Sequence, residues 1–589
     1  MSSLVGFTVF SNLPEDSLRA LQAAHDSALA HFALQRHSLV LGETHLELWG
    51  RTGMEERLHT LPDGSLTVLI GSPHGEVHLA DVQDDLLAGK FEIPWDGRVI
   101  MLHVSADGKR WTMWNDWLGS IPVFHSQLGQ GRIASTLEPV VVAAGGFTPD
   151  DFFLPGLLFL LIHGNFIGDW TLYAPMKVTP PDSLCEWDRD GFRSRHLSTV
   201  MPTDARWESG WDDLIDEMHE LSRQAISDVL KTQAGWILPL SSGLDSRLIA
   251  GVGAELGVNL CAFCWGKRDS IEAVYSHEIA RALGIPWKWI DIGTDYLVRY
   301  APLWADMFGS AMHFHGMYQM PFYDGLRSEL PDPIVSGFLG DTLAGYDVHF
   351  QSQFHSSLER PYQTQPDGYT NWSPQDLRRL FKHSIDDALE QVADEITRQR
   401  SAVPGPGFQS LRFLTLWGRQ RHFTYFQSML CDYWRGVSTP YLNRNYARFC
   451  LSLPRAVLEE RRLEGDVFRR YYGILATIPG SYEGSPLIST GRHLLNRRIS
   501  RFLPETLLHG PFQEFNPSQP STDVDCVRAG GWKSFWPIPI SRDRLQELLN
   551  LDEIEKVYNS ALDGDQKSVR KLQSVQTLAY RLLDRGSTP

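Results

Sequence analysis

Cysteine is scarce in this chain, six in 589 residues, which excludes a disulfide framework and points to a reducing, cytoplasmic setting. Cys261 and Cys264 invite a metal reading, but no second pair matches them. Three residues apart on a strand, their sulfurs face opposite ways, so buried core cysteines are expected instead of a zinc site. Long hydrophobic runs are missing too. The longest, around residues 152–162, is far short of the roughly 20 residues a membrane helix needs and reads as a buried helix. Positive charge is short as well: 54 basic against 71 acidic residues give −17, the wrong sign for general nucleic-acid binding. The start lacks a basic, apolar leader and carries acids by Glu15, so secretion is not expected. The apolar fraction, 42%, is ample for large cores, and the length predicts several domains. Nineteen tryptophans remain, with Trp111, Trp114 and Trp117 in one hairpin. In so acidic a chain they are packing residues rather than a base-stacking platform.

A Walker A loop is also absent, since no Gly-x4-Gly-Lys-Ser/Thr pattern occurs. In its place stands Trp236-Ile-Leu-Pro-Leu-Ser-Ser-Gly-Leu-Asp-Ser-Arg247. It reads as an apolar strand, a small-residue turn and a helix with Leu248, Ile249, Val252 and Leu256 on one face. Such a turn points backbone N–H groups and the positive end of a helix dipole at one spot, with serine hydroxyls to assist. Asp245 would repel a bare anion there, so it makes sense only beside a cation, most naturally Mg²⁺. The alternative is a helix merely capped by its Asp and Ser.

The following residues continue the pattern. Asn259–Trp265 reads as a short buried strand; Ile271, Val274, Tyr275, Ile279 and Leu283 recur at helical spacing until Gly284; Ile285–Ile290 reads as another strand. Alternating strands and amphipathic helices predict a parallel sheet that binds ligands at the carboxyl ends of its strands. Pro333–Asp341 repeats the layout of strand, small-residue turn and acid. Two such turns can bring Asp245 and Asp341 to one metal–phosphate cluster.

Ser241–Ser246, Trp265-Gly266, Glu272 with Ala280, and Ser336–Asp341 together resemble the synthetase domain of the asparagine synthetase family, over about residues 204–486. Its PP-loop cleaves ATP between the α and β phosphates. The resemblance implies an ATP site formed by Leu240, Ser241, Ser242, Gly243, Asp245, Ser246, Trp265, Ser336 and Gly337, with Mg²⁺ on Asp245 and Asp341. Thr439–Asn443 and Leu453-Pro454 are similar to the family's helical C-terminal half. The start extends the likeness: family members with a glutaminase domain begin Met-Cys-Gly-Ile, whereas here Ser2 stands at the nucleophile's place. The hairpin Val99–Ser105 and Trp111–Asn115, with its Asp107-Gly108 turn, leads into Asn115–Phe124, which is similar to a family segment. The glutamine-gripping turn falls on Ile70-Gly71-Ser72 without its amide and carboxylate, while Asp96-Gly97 keeps the place of another glutamine-binding acid.

The fold implied is α/β: an Ntn-hydrolase-like, β-rich α+β layer over 1–203 without glutaminase activity, and a parallel-sheet PP-loop domain of the adenine nucleotide α-hydrolase kind over 204–500, with a helical C-terminal region. A linker and helical tail occupy 501–589. Several departures qualify the chemistry. Phe338 replaces a Glu of asparagine synthetases, and no lysine lies between Pro454 and Arg498, where Arg492 is the candidate for positive charge. Asp347 and His349 are candidates for the general base. Three readings follow: a ligase joining a small-molecule or peptide carboxylate to ammonia or an amine with ATP and Mg²⁺; an intramolecular cyclase of the lasso-peptide or β-lactam kind; and a non-catalytic nucleotide-binding relative. No nucleic-acid or membrane partner is expected. The oligomeric state, a homodimer among the options, is not written in the sequence.

Overall fold

The computed structural model describes residues 4–75, 78–83, 85, 93–326, 332–346, 348, 371–404, 407–480, 486–488, 523–535 and 542–582. Two antiparallel six-stranded sheets form the N-terminal layers. The first runs Met176–Val178, Phe124–Leu128, Gly131–Ser135, Leu4–Ser11, Thr44–Gly50 and Gln35–Leu41. The second runs Gly191–His196, Ser183–Asp188, Trp111–Asn115, Gly97–Val104, Leu66–Pro73 and Leu58–Thr60. Phe7, Val9 and Leu48 of the first meet Ile100, Leu102 and Met113 of the second in a shared core. The other face of Leu4–Ser11 puts Val5 and Phe10 against Leu21 and Val140 of flanking helices, so all eight of its residues are buried. The expected hairpin is present, with Val104 paired to Trp111. Gly108 turns it at a φ of +70°, where a Cβ would collide with the Leu41 carbonyl. The expected buried helix is Leu154–His163.

The parallel sheet follows. Its order is Trp287–Ile290, Asn259–Trp265, Gly235–Pro239, Ile334–Val335 and Val437–Ser438, each pair parallel. The first three strands in the chain step one way across the sheet and the last two step the other. The order therefore reverses between Gly235–Pro239 and Ile334–Val335, the position where open α/β sheets leave a crevice at their carboxyl ends. Asn259–Trp265 and the helix Ile271–Leu283 coincide with the sequence reading, and Ser270 caps that helix by accepting the Ala273 N–H at 3.3 Å. Cys264 is buried and a free thiol, and Cys261 is half-buried.

The C-terminal helix Gln566–Arg581 buries Val569, Leu572, Val575 and Leu578 in the same apolar cluster as Leu154–His163. Arg98 and Asp432 form a buried ion pair at 2.7 Å between the second sheet and the later half, and Trp117 Nε1 donates to the Leu442 carbonyl at 3.0 Å. Among the described residues, no helix is long and apolar enough to cross a membrane.

Candidate functional site

Gly235–Pro239 ends in Leu240, whose side chain is buried and whose N–H donates to the Phe263 carbonyl at 2.8 Å. The chain then turns through two serines. The Ser241 N–H donates to Ser246 Oγ at 3.1 Å, and Ser241 Oγ accepts the Gly243 N–H at 3.1 Å. The helix Leu244–Glu255 starts at Gly243 with no side-chain cap. The capping alternative is thus not what the turn does, because Asp245 points elsewhere. The turn already holds a carboxylate: Glu272 accepts the Ser242 N–H at 2.6 Å and the Ser242 hydroxyl at 3.0 Å.

The second turn closes on the first. Ile334–Val335 leads into Ser336, whose Oγ accepts the Phe338 N–H at 3.2 Å, and Leu339 adopts a φ of +76°. Gly340 is required by proximity. A Cβ there would come within 2.7 Å of Asp245 Oδ1, and one on Gly337 within 3.3 Å of the Asp245 Cβ. Asp341 Oδ1 accepts the Thr342 N–H at 2.7 Å. The two turns expected from the sequence therefore do meet at the reversal point, with Asp245 between them.

Asp245 is served by a group the sequence reading missed. Arg461 donates to Asp245 Oδ1 at 2.6 Å and pairs with Glu464 at 2.5 Å. Burial pushes the Asp245 carboxyl up to about 8; Arg461 opposes this, while the charges of Glu464 and Asp341 add to it. Burial alone would lower the Arg461 guanidinium, but Asp245 and Glu464 outweigh it and hold it above its ordinary value. Burial likewise raises Glu464. Asp245, Glu464 and Asp341 all lie in the field of Arg461, and Arg247 adds its charge at Glu464, so carboxylates outnumber guanidiniums in the cluster. No group of three or more His, Cys, Asp or Glu side chains able to hold a metal occurs among the described residues. Two carboxylates nonetheless fit Mg²⁺, which takes one or two from the protein when phosphates and water supply the rest.

Three further residues frame the turn. Arg247 is fully buried and donates to the carbonyls of Ser242, Leu475, Ile478 and Pro479 at 2.7–2.9 Å, pinning the 475–479 segment to the loop. The Tyr441 hydroxyl donates to the Asp245 carbonyl at 2.9 Å. Trp265, at the end of the neighbouring strand, packs on Phe322 with ring centroids 4.2 Å apart. Arg461 lies in the interval beyond Pro454 that holds no lysine. Its reach depends on a backbone reversal in which Glu460 and Arg461 both take positive φ, and nothing in their side chains signals that.

Ser2, Asp347, His349 and Arg492 lie outside the described residues. Ile70-Gly71-Ser72 is no open turn. It is the middle of the buried strand Leu66–Pro73, where Gly71 lies against the Arg98 carbonyl. Asp96 is also engaged: it accepts Asn443 Nδ2 at 2.9 Å and Arg444 Nε at 2.5 Å, fastening the N-terminal layers to the later half.

No protein-family model and no curated protein matches this chain. Among solved structures, similarity is found to one described as the allosteric regulatory enzyme of purine biosynthesis, with 10% identity over 48% of this chain and a TM-score of 0.22. The chain spans 65% of that structure's length. A second is a glutamine phosphoribosylpyrophosphate amidotransferase from B. subtilis complexed with ADP and GMP, with 9% identity over 48% of this chain and 90% of its own, also at a TM-score of 0.22. Likeness this slight carries no functional argument. The fold is thus a mixed α/β one, described by its own strands: antiparallel layers first, a parallel sheet later and a helical C-terminal region.

Proposed function

We propose that this chain is an ATP-dependent amide-bond ligase of the asparagine synthetase type, forming AMP and pyrophosphate. One observation carries the reading: two small-residue turns meet where the strand order reverses, with Asp245 packed on Gly340 and within the field of Asp341. A substrate carboxylate oxygen attacks the α-phosphorus of ATP. The bond from that phosphorus to the bridging oxygen breaks, and pyrophosphate leaves with the electron pair. Amides and hydroxyls of the 241–246 turn would stabilise that charge once a local rearrangement turns them from their internal partners to the phosphate. Glu272 must release the Ser242 N–H for a phosphate to take it. Asp245 and Asp341 would hold Mg²⁺, which when bound supplies positive charge against the leaving pyrophosphate. An uncharged amine nitrogen then attacks the acyl carbon, AMP departs with the acyl–oxygen pair, and the amine proton passes to a base. With Ser2 in the nucleophile's place, the amine is free ammonia or part of a second substrate. An amine on the activated molecule itself makes a cyclase of the same machinery.

The test is pyrophosphate release from ATP across panels of carboxylates, with and without amines. The wild-type chain releases it without consuming glutamine. Asp341→Asn lowers the rate about 100-fold or more, the range seen when a group aimed at transition-state charge is removed. A second reading, a nucleotide-binding relative without turnover, is favoured by Arg461 on Asp245 and Glu272 on Ser242, since both positions are already satisfied from within. Binding of Mg·ATP with no pyrophosphate released from any carboxylate decides for it.

A further inference from the structure

Asp341 is held by a chain of hydrogen bonds that the chemistry above does not use. Its Oδ1 accepts twice from the next residue, from the Thr342 N–H at 2.7 Å and from the Thr342 hydroxyl at 3.2 Å. Behind Thr342 stands Gln420, whose Nε2 donates to Thr342 Oγ1 at 2.8 Å. A hydroxyl has one proton to give, and an amide NH₂ only donates. The chain therefore runs one way, from Gln420 through Thr342 to Asp341, and each link polarises the next. Asp341 Oδ2 takes no hydrogen bond from any described residue.

Local structure alone would not keep Asp341 in place. It belongs to the five-residue helix Gly340–Ala344, entered through Leu339 at positive φ, and a helix that short has no stability of its own. The tertiary frame supplies what the helix lacks. Arg412 is fully buried and donates to the Thr342 carbonyl at 3.3 Å, the Leu343 carbonyl at 2.9 Å and the Cys450 carbonyl at 3.1 Å, tying the short helix to Arg444–Cys450. Thr342 and Gln420 are 2% and 3% exposed, and an amide buried that deeply costs free energy unless it is hydrogen-bonded. Gln420 is delivered by the π-helical stretch Thr415–Thr424. Such turns are rare and concentrate at functional sites.

The kind of donor matters as much as its place. Asp245 is met by the Arg461 guanidinium, whose charge opposes its own. Gln420 and Thr342 are neutral, so they fix the Asp341 carboxylate and leave its negative charge for a cation. Carboxylates that ligate metals are ordinarily hydrogen-bonded from behind, and those outer partners set the orientation of the ligand.

We infer that Gln420 and Thr342 are positioning residues that present Asp341 Oδ2 to the Mg²⁺ of bound Mg·ATP. Neither touches the nucleotide; both act through the orientation of Asp341. The inference deepens the ligase reading and rests on it for the presence of the metal.

Calorimetry of the full chain with ATP, once with Mg²⁺ and once with EDTA, separates positioning from packing. Thr342→Val keeps the shape and loses the hydroxyl, whereas Thr342→Ser keeps the hydroxyl and loses the methyl. Thr342→Val weakens Mg·ATP binding about 10- to 100-fold, the usual cost of removing a partner behind a metal ligand, and leaves whatever affinity remains in EDTA unchanged. Thr342→Ser retains the wild-type affinity for Mg·ATP. Gln420→Met has the effect of Thr342→Val, and the double variant is no worse than either, because the two residues act through one chain. Thermal melts establish that each variant is folded. Should a single variant unfold, the double one carries the test, since removing both buried partners together strands neither. Equal Mg·ATP affinity in the folded Thr342→Val and wild-type chains overturns the inference. So does a loss in Thr342→Ser as large as in Thr342→Val, or an equal loss with and without Mg²⁺. Where Asp341→Asn abolishes Mg·ATP binding and Thr342→Val does not weaken it, the positioning role fails and the ligase reading stands. A wild-type chain that binds no Mg·ATP removes both.

Discussion

Arg461 and Glu460 both hold left-handed backbone, an arrangement costing about 1–3 kcal/mol for each non-glycine residue. What it secures is the guanidinium between Asp245 and Glu464, with the Arg461 side chain 9% exposed and Asp245 17%. Arg461→Ala leaves two acids buried without their cation and is expected to destabilise the chain by about 3–5 kcal/mol in urea titration. A loss below 1 kcal/mol would mean that the pair behaves as a solvated one. The residues that turn chemistry announces, Asp245 and Asp341 after their runs of Ser and Gly, were legible because spacing alone positions them. Arg461 was not, and Glu272 stood out only through the family resemblance, which gave it no role. Their roles are set by where a backbone reversal and a neighbouring helix deliver a side chain, and no local pattern records either.

At the scale of elements, the meeting of two turns depends on the missing Cβ of Gly340. Gly340→Ala forces a methyl against the Asp245 carboxylate, an overpacking that costs about 1–3 kcal/mol. The expected outcome is a folded protein, verified by thermal melt, whose heat of Mg·ATP binding is lost. Retained heat would mean that the turns are spaced more loosely than the distances imply. The strand Asn259–Trp265 and the helix Ile271–Leu283 were readable because one is a compact apolar run and the other has a clean helical period ended by Gly284. Ile70-Gly71-Ser72 was misread for the converse reason. A glycine inside an apolar run marks close backbone approach within a strand as readily as a turn. The π-helical Thr415–Thr424 has a period that apolar spacing at 3.6 does not register, so the wall it builds beside Thr342 was invisible.

Across the whole molecule, buried neutral histidines tie stability to pH. Burial pushes His25 down to about 3, with Arg36 adding to it, and does the same for His125, with Lys177 adding. His313 behaves alike. Below the unfolded value of 6.5 the unfolded chain binds protons that the folded chain refuses. Stability is therefore complete above about pH 6.5 and declines as the pH falls toward 3, by about 2 kcal/mol per histidine at pH 5. Asp245, raised to about 8, and Glu464, Asp116 and Asp432, also raised by burial, have the opposite slope, but burial lowers His74, His103, His219 and His422 as well as these three rings. Melting temperatures should drop between pH 7 and pH 5; a rise over that interval would contradict the burial of these rings. The joints between layers were beyond sequence reading, because Arg98 and Asp432 are more than three hundred residues apart. Arg98→Met removes the nearer cation from Asp432 and leaves it Arg51 at 3.8 Å, and a loss of about 3 kcal/mol, the lower end for a broken buried pair, is expected on urea unfolding.

The ligase reading requires that Asp245 and Asp341, at the sheet's reversal point, receive a metal-bound triphosphate. Titration calorimetry of the full chain with Mg·ATP, repeated with Asp341→Asn, measures this directly. Saturable heat from the wild-type chain that requires Mg²⁺ and disappears in the folded variant is the predicted result. No heat from the wild-type chain, or equal heat from both, would contradict it.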